Sequence, residues 1–108
     1  MRISLKERAA ILETLKAEMG AIKYKVFLFG SRADDSKKGG DIDLLLEVDE
    51  QDYLGVLANK SALKFELEAA TGDQRVDLTI ATSKTLNSDP FLKSIQTNLV
   101  RIHQDSSI

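Results

Sequence analysis

The chain has 108 residues, 43% hydrophobic and 30% charged, with a formal net charge of -2 and no cysteine; a single domain spanning residues 1–108 is expected. The charge argues against a general nucleic-acid binder, which carries a basic patch or stripe, and the missing cysteines exclude disulfides and Cys-ligated zinc. No apolar run is long enough to cross a bilayer, and Met1 to Arg8 turns charged before a signal-peptide core forms, so the default location is the cytoplasm.

Ser4-Leu5-Lys6-Glu7 has capping-box spacing and starts a predicted helix. Leu5, Ala9, Leu12, Leu15 and Met19 follow at helical spacing, and Gly20 stops it. Lys25 to Phe29 is a short apolar run, predicted as a strand buried on both faces and ended by Gly30. Asp34 to Gly40 is loop by composition. From Asp41 to Val48 the chain alternates: Ile42, Leu44, Leu46 and Val48 share one face, and Asp41, Asp43, Leu45 and Glu47 the other.

A single helix is predicted from about Asp52 to Thr71, with Leu63, Leu67 and Ala70 inward and Gly72 as its cap. Arg75 to Ala81 is a second alternating strand, with Val76, Leu78 and Ile80 opposite Asp77 and Thr79. Asp89-Pro90 reads as N-cap and first residue of a last helix, and Leu99 to His103 as a final short strand. Phe27, Phe29 and Phe65 are core candidates. This order gives an α/β (α+β) fold, a mixed sheet of three or four strands backed by helices. Burying the apolar faces leaves Asp41, Asp43 and Asp77 on an open face.

Residues i and i+2 of a strand lie about 6.5–7 Å apart with side chains pointing the same way, so Asp41 and Asp43 are placed to share one cation. Carboxylates so close repel unless a cation lies between them. Oxygen-only ligands suit Mg²⁺ or Mn²⁺, with phosphates and water filling the remaining positions. Asp77 on a neighbouring strand has the right face to complete a two-metal site. Gly30 lets the backbone approach a phosphate closely, Ser31 supplies a hydroxyl and Arg32 a charge. Lys37 and Lys38 read as a solvated loop and Arg75 as a strand-end surface charge. Each of these features is commonplace alone. Their ordered combination points to metal-dependent chemistry on a nucleoside triphosphate.

From the first helix to Ile102 this order resembles the DNA polymerase beta-like nucleotidyltransferase superfamily. Gly30-Ser31-Arg32-Ala33 and Asp41-Ile42-Asp43-Leu44 match the core motif of its minimal nucleotidyltransferase family, and Arg75-Val76-Asp77-Leu78 looks like that family's later Val-Asp-Leu strand. The spacer Asp34 to Gly40 is shorter than in many members and places Asp34 and Asp35 near the expected phosphates. The resemblance implies Ser31 on the triphosphate, Asp41 and Asp43 on Mg²⁺, and Asp77 as the third carboxylate. It also implies ATP as donor and a HEPN-type toxin as acceptor, whose tyrosine is adenylylated, so that this chain is the antitoxin. Two rivals stand beside it. One is a transferase for a small acceptor such as an aminoglycoside. The other is a non-catalytic module that neutralises its partner by contact.

Overall fold

The computed structural model describes residues 3–30, 41–96 and 99–102. Helix α1 (Leu5–Met19) leads into strand β1 (Tyr24–Phe29), and β2 (Ile42–Val48) into helices α2 (Glu50–Ala58) and α3 (Lys60–Ala70). Strand β3 (Val76–Ala81), helices α4 (Ser83–Ser88) and α5 (Pro90–Ile95), and β4 (Val100–Ile102) complete the order. The sheet runs β3-β2-β1-β4. β2 lies antiparallel to β1 and parallel to β3, and β4 lies antiparallel to β1. This is the expected mixed sheet, with four strands.

The parallel pair explains the two helices between β2 and β3. Strands running the same way need a crossover, and α2 with α3 provides it. The sequence predicted one helix here. The chain breaks at Asn59 (φ -97°, ψ 9°), which ends α2 and starts α3. Asn competes with the helix for backbone hydrogen bonds, which makes such a break inexpensive.

One sheet face carries Val26, Leu28, Ile42, Leu44, Leu46, Val76, Leu78 and Ile80, all buried beneath α1 and α3. α1 begins with the predicted capping box: the Glu7 N–H donates to Ser4 Oγ (3.0 Å), and the Ser4 N–H donates to Glu7 Oε1 (2.8 Å). Its inward residues are Ile11, Leu12, Leu15 and Met19. Leu5 and Ala9, expected inward, are exposed, because the stripe turns toward the sheet only after the first two turns.

The opposite face is covered at one end only. There α4 and α5 pack Leu86 and Leu92 onto Phe29, Leu45 and Ala81. The sequence foresaw α5 but not α4, whose capping box is Thr82 with Thr85 in place of the usual acid. Phe27 is half-buried and Lys25 exposed, so β1 is not buried on both faces along its whole length. Leu44, Leu45 and Leu46 are all fully buried, which marks the level at which β2 is covered from both sides. Phe65 is 67% exposed on α3 and Ala70 is also exposed, because Leu63 and Leu67 alone form that helix's inner stripe.

Candidate active site

The uncovered end of the second face begins where β1 stops. Phe29 is the register partner of Asp43, and Asp43 is the partner of Asp77 on the parallel strand. Partners directly across a sheet share a face, so Asp43 and Asp77 project together. Their carboxyl groups lie close enough to influence each other's charge. Asp43 is held above its ordinary value of 3.8 by burial, then by the charges of Asp77 and Asp41, and last by a polar interaction with Asp77 that favours its protonated form.

Asp41 lies one residue before β2. Its carboxylate Oδ2 is 4.0 Å from Arg75 Nη1, and both side chains are well exposed. A pair so open and so long contributes little to stability. Arg75 stands one residue before β3, and its carbonyl accepts from the Ile42 N–H at 3.0 Å, so the two strands enter the sheet side by side. Arg75 therefore faces Asp41 rather than Asp77.

Gly30 closes the other side. Its φ of +72° lies in the left-handed region, and a Cβ built on it would collide with the Asp43 carboxylate. The position requires glycine twice over, for conformation and for space. This close approach sets the glycine of the predicted Phe-Gly-Ser motif against the second acid of the Asp-x-Asp motif. Ser31, Arg32, Asp34, Asp35, Lys37 and Lys38 lie outside the described residues, as does His103.

A second carboxylate near the same strand ends behaves in the opposite way. Glu68 of α3 accepts from Lys64 Nζ at 2.6 Å and from the Val76 N–H at 2.9 Å. Its carboxyl is held below the ordinary 4.5, first by the hydrogen bond from Lys64 and then by that from Val76. The chain then turns through Gly72 (φ 75°) and Asp73 (φ 63°). Gln74 Nε2 ties that turn to Thr71 O at 2.9 Å and to Glu7 of α1. This bracket fixes where β3 begins and hence where Asp77 points. Sequence reading missed it, although Glu68 lies eight residues before the N–H it accepts.

Among the described residues, no three His, Cys, Asp or Glu side chains are drawn together around an ion-sized point. The donor chemistry nonetheless fits a hard divalent cation. The available groups are carboxylate oxygens, they carry excess negative charge, and Asp43 has no cationic partner of its own among the described residues. A groove of about 340 Å³ at the other end of β1 is lined by Lys16, Lys23, Lys25 and Arg101, and none of the three aspartates reaches it.

The family model described as a nucleotidyltransferase domain matches residues 8–102. The chain belongs to that family. The matched span contains Gly30 and all three aspartates. A nucleotidyltransferase domain generally works on a nucleoside triphosphate with a divalent metal, and its reaction is nucleotidyl transfer. No curated protein matches the chain. No helix among the described residues is long and apolar enough to cross a membrane.

Proposed function

We propose that this nucleotidyltransferase domain, a single unit over residues 1–108, transfers AMP from ATP to a tyrosine, serine or threonine hydroxyl of a HEPN-type partner protein and so acts as its antitoxin in the cytoplasm. Asp41 and Asp43 hold Mg²⁺, or Mn²⁺ in its place, and Asp77 completes the site. When bound, the cation neutralises phosphate charge and favours departure of pyrophosphate. Gly30, Ser31 and Arg32 receive the triphosphate. Asp77 lies beside Asp43 on the neighbouring strand and takes the proton of the acceptor hydroxyl as that oxygen bonds to the α-phosphorus.

The observation that carries the reading is the Asp43–Asp77 pair. Two carboxyl groups stand directly across neighbouring strands on an open face, with a third acid close enough to disfavour charge on Asp43. A fold that only needed stability would not retain this repulsion. An acid whose charged form is disfavoured by neighbouring acids is a mark of function.

ATP labelled at its α-phosphate, with Mg²⁺ and the product of the neighbouring reading frame, tests the proposal. Label is expected on that protein with the wild type. Asp77→Asn is expected to bind Mg-ATP and transfer little. An unlabelled partner that is nonetheless neutralised would replace this reading with neutralisation by contact.

A further inference from the structure

Phe91, the second residue of α5, is 55% exposed. Its ring meets Phe29 edge-to-face, with centroids 6.5 Å apart and planes at 73°. Phe29 is buried and sits directly across from Asp43 in the β1–β2 register. Phe29 thus links the two: it neighbours Asp43, and through it Asp77, across the sheet, and it touches Phe91 through its ring. Contact with Phe29 occupies no more than one flat face of the Phe91 ring. Phe65, also well exposed, lies on α3, which packs beneath the opposite face of the sheet.

We propose that Phe91 is the platform on which the nucleobase of the nucleoside triphosphate stacks, with the triphosphate directed toward Asp43 and Asp77. The inference rests on the nucleotidyl-transfer reading of those aspartates. Phe29, locked in the core, fixes the Phe91 ring one aromatic neighbour away from the acidic pair. An aromatic ring offers a base its π-face and no hydrogen-bond readout, so it accepts different bases. Phe91 thus predicts purines ahead of pyrimidines by ring area, with ATP and GTP treated alike by this residue.

The chain has no tryptophan, so Phe91→Trp places a single indole at the site. In the presence of Mg²⁺, ATP is expected to quench its emission saturably, and inorganic tripolyphosphate, which has no base, is expected not to. In calorimetry, Phe91→Leu keeps an apolar group against Phe29 but removes the ring. It should weaken ATP binding about tenfold and leave tripolyphosphate binding unchanged, while Phe65→Leu changes neither. Equal ATP affinity in the wild type and Phe91→Leu, or equal quenching by the two ligands, would overturn the stacking and leave the nucleotidyl-transfer reading intact. A wild type that binds neither ligand with Mg²⁺ would overturn both.

Discussion

Asp43 and Glu68 are carboxylates near the same end of the β2–β3 pair, and the fold treats them oppositely. Glu68 accepts two hydrogen bonds, one from an ammonium and one from the first N–H of β3, and its charged form is favoured. Asp43 faces Asp77 and Asp41, and its charged form is disfavoured. Glu68 completes the structure. Among the described residues Asp43 has acids and no cation beside it, an excess of negative charge that a bound cation would neutralise. Charge alone does not distinguish a structural acid from a functional one; the groups around it do.

The largest expected effect separates the two residues by activity. Asp43→Asn should lower nucleotidyl transfer by about a thousandfold, since losing a ligand forfeits several kcal/mol of charge stabilisation in the transition state. It should leave the fold at least as stable as the wild type. Glu68→Gln keeps a side-chain oxygen that can accept from the Val76 N–H, so β3 stays in place and transfer should remain near wild type. A labelled-ATP assay on both variants checks this, and comparable losses in the two would erase the distinction.

Gly30→Ala comes next. Forcing a Cβ into the left-handed region costs about 1–2 kcal/mol, and the new methyl displaces the Asp43 carboxylate. Denaturant melts should show the destabilisation, and activity should fall with it. Wild-type activity in Gly30→Ala would mean that the place of the Asp43 carboxylate is unimportant.

The pH dependence of stability sharpens the contrast in sign. Asp43 has a folded value above 3.8, so the native state holds its proton more tightly than the unfolded chain. Its unfavourable contribution is absent below 3.8 and grows as pH rises through the folded value. The advantage of Asp43→Asn over the wild type should therefore be full at neutral pH and close on acidification. Glu68 has a folded value below 4.5, so its contribution is present above 4.5 and lost as pH falls through the folded value. The smaller deficit of Glu68→Gln should also close in acid, with opposite sign. Melts of the three proteins from pH 3 to 7 follow both gaps.

Much of this was legible in the sequence. Strict alternation from Ile42 to Val48 and from Val76 to Ala81 assigned Asp43 and Asp77 to the open face, and both strands form in the register that makes them partners. The motif order pointed to the nucleotidyltransferase superfamily, which the family match over residues 8–102 bears out. What escaped depends on long-range contacts that no local pattern encodes. Glu68 reaches the Val76 N–H because a turn through two left-handed residues brings α3 and β3 together. Phe91 follows Pro90 as an ordinary helix start, and only the packing of α5 brings its ring onto Phe29, the register partner of Asp43. Phe65 misled because an aromatic residue suggests a core, whereas its position on α3 lies off the stripe formed by Leu63 and Leu67.

The central claim is that the repulsion at Asp43 is relieved by a divalent cation. Thermal unfolding of the wild type, Asp43→Asn and Glu68→Gln, each with and without Mg²⁺, tests it most directly. A ligand at a hundred times its dissociation constant adds about 2.7 kcal/mol to the state it binds. The midpoint should rise with Mg²⁺ in the wild type and in Glu68→Gln and stay fixed in Asp43→Asn, which should match or exceed the wild type without the metal. An equal rise in all three proteins, or none in the wild type, would contradict the account.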